Sequence, residues 1–352
     1  MLRSLPILLL ASLPVQADPP VAPQPHPIER AVIESSLPSA GSRIRQLAFD
    51  GDENTFFSSE TNPSKSDHLT LRFDHPVNLE SVSVLTGRPN GEDVLTAGVL
   101  EVSEDGTKFE EAATFADGRA SFAKRKAIAV RIRPTEDLKH PLVVREIAIR
   151  SNPKVAVFRY PIEFALDVAD APEMREWAEK TVRICERRYA MICDELASDG
   201  FTPTTQIRMS IKADYKGVAE ASGNRIKGAV AWFKAHPDDI GAMIHEIVHC
   251  VQLYRGRSTP GWLVEGIADY VRFWKYEPGK AGRLQPERAK YDGSYRTTAA
   301  FLAFVTEKYD KQAVKKLNAI AREGKYDVGV WKTLTGKSVE ELNQEWRQSL
   351  AH

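Results

Sequence analysis

The chain has 352 residues, 42% of them hydrophobic and 27% charged, and 48 Lys plus Arg are matched by 48 Asp plus Glu for a formal net charge of zero. That balance excludes a global electrostatic attraction to nucleic acid. About 335 residues remain beyond the leader described next, more than one hydrophobic core ordinarily supports, so two domains are expected.

The N-terminus, MLRSLPILLLASLPVQADPP, carries Arg3, an apolar run from Leu5 to Leu13, and the small-residue site Val15-Gln16-Ala17. This is the pattern of a secretory signal peptide over residues 1–17, and it predicts a secreted or periplasmic protein. The run is too short to cross a bilayer. No later stretch reaches the roughly 18 apolar residues a membrane helix needs, so no membrane span is expected. Residues 18–29, opening DPPVAPQPHPI, are Pro-rich and read as an extended tether.

From about 30 to 151, the alternating segments HLTLRFD, SVSVLTG, GVLEVS, AIAVRIRP and VVREIAIRS are separated by Gly, Pro, Asn and Asp turns. Period-two alternation with such turns predicts an all-β sandwich. The runs AFDGDENTFFSS, LEVSEDGTKFEE and AVRIRP with VVREIAI resemble the coagulation factor 5/8 C-terminal-type, or discoidin, family. The resemblance implies a jelly roll over residues 30–151 whose end loops bind a glycan or another cell-surface ligand. It also implies a calcium ion stapling the DGDENT loop to the last strand through Asp52, Thr55 and Glu146. Oxygen ligands suit that ion; an Asx-rich turn without one is the alternative. The Trp common in the family after the Thr is Phe56 or Phe57 here.

A junction is expected near Pro153, with the second domain over 154–352. After the strand VAVFRYPIEFAL, residues 172–196 form an amphipathic helix with Trp177, Val182, Ile184, Tyr189 and Ile192 toward a core. QIRMSIKA and NRIKGAVAWF read as strands. Turns at Gly223-Asn224 and Gly228 would expose the second as a sheet edge able to pair with an extended peptide. Of Cys185, Cys193 and Cys250, at least one must be free.

The next helix, GAMIHEIVHCVQ, capped by Asp238 or Asp239, contains His245-Glu246-Ile247-Val248-His249. On a helix His245 and His249 fall about 40° apart and face one ion. Glu246 lies about 100° round from His245, where a carboxylate reaches a metal-activated water. Glu265, 16 residues after His249 and beyond turns at Gly256 and Pro260-Gly261, supplies a third ligand. Asp269, one turn further on, can accept the free N–H of a ligating His. The HExxHxxGxxH arrangement is excluded, because Gln252 and Arg255 stand where its Gly and third His would be. Cys250 points about 100° away from His249 and reads as core packing. Helices are expected over TTAAFLAFVTEKY, KQAVKKLNAIAREG and VEELNQEWRQSL.

The blocks HEIVHCVQ, PGWLVEGIADYVR, SYRTTAAFL and WKTLTGKSVEEL, spread from about 155 to 350, resemble the plant basic secretory protein family and its bacterial relatives, a family of zinc peptidases. The fold class expected is therefore an all-β jelly-roll sandwich followed by an α+β, zincin-like, mostly helical metallopeptidase domain. The chemistry expected is hydrolysis of a protein or peptide substrate with zinc held by His245, His249 and Glu265 and with Glu246 as general base. Tyr295 is the first candidate to stabilise the oxyanion, and Tyr270 the second. Two other readings are a non-catalytic carbohydrate-binding or adhesion protein, and a zinc hydrolase of a non-peptide amide.

Overall fold

A computed structural model of the protein describes residues 28–254 and 258–350. The leader, all of the tether except its last two residues, and Gly256 lie outside the described residues.

The N-terminal half contains β1 (Ile28–Glu29), β2 (Ala31–Ser35), β3 (Phe57–Ser58), β4 (Leu69–Thr86), β5 (Gly98–Ser103), β6 (Glu110–Thr114), β7 (Arg119–Pro134) and β8 (Val143–Asn152). Its antiparallel sheet runs β3-β8-β4-β7-β5-β6, with β2 added beside the first part of β4. HLTLRFD and SVSVLTG, read as two segments, belong to the single 18-residue strand β4. Its register with β7 breaks between Arg72 and Val77, around Pro76, which has no N–H to give the ladder. Before the break β4 pairs with β2; after it, with β8. The sheet thereby turns back on itself as a β-sandwich over Leu71, Phe73, Val82, Val84, Val130 and Ile147. Along β4, buried Val77, Leu79, Val82 and Val84 alternate with exposed or half-exposed Asn78, Glu80, Ser81 and Ser83, as a half-buried strand requires.

β9 (Lys154–Val155) pairs in parallel with β1. The second domain then adds β10 (Glu163–Asp167), β11 (Gln206–Lys212), β12 (Ala219–Ser222) and β13 (Arg225–Ala229), in the order β10-β11-β13-β12. β10, β11 and β13 are parallel, and α1 (Arg175–Leu196) makes the crossover from β10 to β11. Beyond the sheet come α2 (Val230–Ala235), α3 (Ile240–Gln252), α4 (Gly261–Tyr270), a π-helical turn over Val271–Tyr276, α5 (Tyr295–Lys308), α6 (Ala313–Arg322), α7 (Val330–Thr335) and α8 (Val339–Leu350).

The expectation for NRIKGAVAWF needs correction. Only Arg225–Ala229 is strand and Val230 begins α2, while the sheet edge is the preceding short strand β12, folded antiparallel onto β13 through Gly223 at φ 61°. Gly228 lies inside the sheet against α3, where a Cβ would sit 2.5 Å from Met243 Cε and 2.9 Å from Phe233. Its role is therefore close packing rather than a turn.

Helix α3 is buried nearly all round, with Ile244, Ile247, Val248 and Val251 in a core shared with Ile207 and Met209 of β11. A 13-residue helix is marginal by itself, so this packing holds it; truncating one of those aliphatic side chains to Ala would cost about 2–5 kcal/mol. All three cysteines are buried and free. No described helix is long and apolar enough to cross a membrane.

The two domains meet through polar contacts and one aromatic pair. Arg45 pairs with Glu163 and Glu186, Arg187 with Asp74 at 2.6 Å, and Ile162 N donates to Gln46 Oε1 at 2.9 Å. Phe49 meets Phe158 edge to face at 5.9 Å.

Candidate metal centre

The site is built on α3 and α4. Of the two aspartates expected to cap α3, it is Asp239 that does so, accepting from Ala242 N at 3.3 Å. Arg272, on the π-helical turn, and Trp232 also donate to Asp239, at 2.6 Å and 3.0 Å, fixing the start of the helix. At the other end Arg322 of α6 donates to the carbonyls of Val251 and Gln252 at 3.0 Å and 3.1 Å. Those are carbonyls that the helix terminus leaves without intrahelical donors.

Between these clamps His245 and His249 stand one turn apart, their Nε2 atoms 3.1 Å from each other. Glu265 comes from α4 and places Oε2 3.1 Å from His245 Nε2 and 3.4 Å from His249 Nε2. An ion held tetrahedrally by ligands at about 2.0–2.1 Å requires its donor atoms roughly 3.3 Å apart. The three measured edges match that triangle. Among the described residues this is the one place where three His, Cys, Asp or Glu donor atoms gather at metal-binding spacing. Its two-imidazole, one-carboxylate donor set suits zinc.

Each imidazole is oriented from behind. His245 Nδ1 lies 2.7 Å from Asp269 Oδ1, and Asp269 is only 4% exposed. His249 Nδ1 lies 2.8 Å from Gln252 Oε1, a partner the sequence reading did not assign. Its one available signal was position: Gln252 follows His249 by three residues and so lies on the same helix face.

Burial disfavours charge on His245, but Asp269 and Glu265 outweigh it and raise the imidazole to about 9 in the metal-free chain. Burial likewise works against the Glu265 carboxylate, and the two histidines overcome it, holding the group well below its ordinary range. Glu246 is 8% exposed and makes no hydrogen bond with the described residues. Burial raises its carboxyl above the usual value, against the pull of His245 and His249. It lines the same cleft, of about 1190 Å³, onto which the ligand triangle opens.

One wall of that cleft is the free edge of β12, with Ala219, Glu220 and Ala221. Tyr295 also lines the cleft; it is 56% exposed, its ring stacked on His245 at 6.1 Å and 23°. Ser294 and Tyr295 both have positive φ, 64° and 44°, a strained entry to α5 of the kind that gathers at functional sites. Nearby Glu265, then burial, raise the Tyr295 hydroxyl above its ordinary value, so it stays protonated and able to donate. Gly266 lets α5 come this close, since a Cβ there would lie 2.2 Å from Thr298 Cγ2. Tyr270 is elsewhere: it is 3% exposed, stacked on Trp274, and does not line the cleft. Cys250 is buried in the core behind α3.

In the sandwich, Asp52 Oδ1 accepts from Asn54 N and Nδ2 at 2.9 Å and 2.8 Å, and Thr55 Oγ1 donates to Asp50 Oδ2 at 2.8 Å. Glu146 reaches this loop from β8 by accepting from Gly51 N at 3.2 Å. Burial, then Asp50 and its acidic neighbours, push Glu146 up to about 8. Phe56 and Phe57 are buried, Phe56 beneath the Arg43 guanidinium at 4.2 Å.

Residues 165–346, just over half of the chain, match the family model described as a peptidase of plants and bacteria. Residues 32–147 match the F5/8 type C domain model. Both resemblances read in the sequence therefore hold. None of the curated proteins matches the chain. Similar solved structures include CBM32-1 from a family 31 glycoside hydrolase of Clostridium perfringens, at 20% identity over 34% of this chain and 92% of that one, TM-score 0.30. Another is a Clostridium perfringens CBM32 in complex with GalNAc-β-1,3-galactose, at 21% identity over 34% and 94%, TM-score 0.29. A Streptococcus pneumoniae fucose binding module is 14% identical over 34% and 92%, TM-score 0.29.

Proposed function

The chain belongs to the BSP family, peptidases of plants and bacteria, and we propose that it is a zinc-dependent metallopeptidase in which His245, His249 and Glu265 hold the ion and Glu246 is the general base. The observation that carries this reading is the Nε2–Nε2–Oε2 triangle, sized for one ion and opening onto the cleft that Glu246 also lines.

Zinc held by His245, His249 and Glu265 would supply the charge that acidifies a water and polarises the scissile carbonyl. Glu246 takes the proton from that water and passes it to the leaving amine. Burial of the Glu246 carboxyl strengthens it as a proton acceptor. The Tyr295 hydroxyl donates to the carbonyl oxygen as negative charge develops there. The unpaired edge of β12 receives the substrate as an extended strand, main-chain bonds giving affinity and the cleft walls selecting side chains.

The F5/8 type C match supports a further part of the proposal, that the sandwich holds a glycan or other cell-surface ligand and delivers the peptidase to it. Calcium belongs to the same reading, held by Asp52 and Thr55 of the loop that Glu146 of β8 reaches through Gly51 N. The leader sequence supports action outside the cytoplasm.

Cleavage profiling on a peptide library beside cell-wall and glycan-linked amide substrates tests the reaction class. Peptide cleavage that chelation abolishes and added zinc restores is the expected result. Turnover of the non-peptide amides alone would favour the other hydrolase reading.

A further inference from the structure

We infer that Gln252 is the positioning residue for His249: one end of its side chain fixes which imidazole nitrogen carries the proton, and the other end ties that choice to the strand of backbone that presents Glu265. This rests on the metal site proposed above, though not on the bond that the enzyme cuts.

The argument starts from a group that can only accept. The carbonyl oxygen of Val264, the residue before Glu265, lies 2.9 Å from one end of the Gln252 amide. A carbonyl needs a donor, so that end is the NH2 group. The other end is then the oxygen, and it lies 2.8 Å from His249 Nδ1. An amide oxygen accepts and cannot donate, so Nδ1 must carry the hydrogen. The remaining ring nitrogen, Nε2, is left with its lone pair directed at His245 Nε2, 3.1 Å away, and at Glu265.

The same logic applies to His245, whose Nδ1–H is accepted by the Asp269 carboxylate. The His249 Nε2 lone pair therefore faces His245 Nε2 across 3.1 Å and Glu265 Oε2 across 3.4 Å, where a metal cation would take the place of any proton held between these groups. Gln252 is 2% exposed, so water does not readily replace either of its bonds, and the tautomer of His249 is imposed before any ion arrives.

The two histidines are thus oriented differently, one by a carboxylate and one by an amide. Only the amide can both accept from the ring and donate to Val264 O. Gln252→Glu keeps the acceptor but sets a carboxylate against that carbonyl. Gln252→Ala removes both bonds.

Two readouts test the inference, neither of which is activity. Nitrogen chemical shifts of 15N-labelled histidine in the metal-free protein report which ring nitrogen of His249 is protonated, and chelator competition reports zinc affinity. The native protein should show the proton of neutral His249 on Nδ1. Gln252→Ala should shift the ring toward the Nε2–H form and weaken zinc binding about 10- to 100-fold. Gln252→Glu should keep the Nδ1–H form while weakening zinc less than Gln252→Ala does, which keeps the test informative should the Ala variant fold poorly. An Nε2–H ring in the native protein, or unchanged zinc affinity in a folded Gln252→Ala variant, overturns the inference. Failure of the native protein to bind zinc would overturn the metal reading itself and is a distinguishable result.

Discussion

His245 and Asp269 lie 24 residues apart in the chain and 2.7 Å apart in the fold, joined between Nδ1 of the imidazole and Oδ1 of a carboxylate that is 4% exposed. That one bond crosses from α3 to α4 and holds the ring with Nε2 toward Glu265, which stands one turn earlier on the same helix as Asp269. The candidate metal site is therefore a property of the helix pair.

Asp269→Asn separates geometry from charge at this bond. The amide oxygen can still accept from Nδ1, but the negative charge that strengthens the imidazole as a donor is lost. Zinc affinity by chelator competition is expected to fall about 10- to 100-fold, with the fold intact by circular dichroism. Native affinity in this variant would mean that the Asp269 charge does not tune the site.

Tyr295→Phe removes the hydroxyl and leaves the ring stacked on His245. If the hydroxyl meets the oxyanion, kcat should drop roughly 100- to 1,000-fold while KM and zinc content stay near native. An equal loss in KM would point instead to substrate binding at the cleft wall.

Arg45 bridges the two domains, and its cost on removal follows from burial. The Glu186 side chain is 2% exposed and the Arg45 side chain 11%. Breaking a buried pair costs about 3–5 kcal/mol, and Arg183, 2.8 Å from Glu186 on α1, keeps the Arg45→Met penalty near the lower end. A truncated chain of residues 154–352 should lose this contact together with Asp74–Arg187, and should melt lower and cleave small peptides less well than the full protein. Native thermal stability of the truncated chain would show that the sandwich is a detachable module.

Glu146 sets a pH dependence of the sandwich. Its ordinary value is 4.5 and the fold raises it to about 8. Between those values the folded state retains a proton that the unfolded chain has released, so this group's contribution is full below about pH 4.5 and is lost as pH rises through 8. The melting temperature of the native protein minus that of Glu146→Gln should accordingly fall across that window in calcium-free buffer. Calcium bound beside Asp52 and Thr55 would favour the ionised carboxylate and flatten the slope. A difference independent of pH without calcium would contradict the assignment.

What the sequence disclosed follows from where each partner resides. His245, Glu246 and His249 were readable because helical spacing alone puts them together, and Glu265 with Asp269 because they repeat that spacing on the next helix. Arg272, Arg322 and Gln252 were not assigned roles, since they act on a helix cap or on backbone carbonyls whose positions depend on how α4 and α6 pack. The edge strand was misplaced because Ala219–Ser222 lacks the β-branched residues that mark a strand, and the pairing with β13 makes it one. In the sandwich, alternation showed the strands, but a bulge at Pro76 that continues a strand looks locally like a turn that ends it.

The most direct test of the metallopeptidase account compares zinc content and peptide hydrolysis in the native protein, Glu246→Gln and Glu265→Ala. Native protein should bind zinc stoichiometrically and cleave. Glu246→Gln should keep the zinc and lose cleavage by about 100- to 10,000-fold, and Glu265→Ala should lose the zinc itself. Full cleavage by Glu246→Gln, or by native protein stripped of metal, would contradict the account.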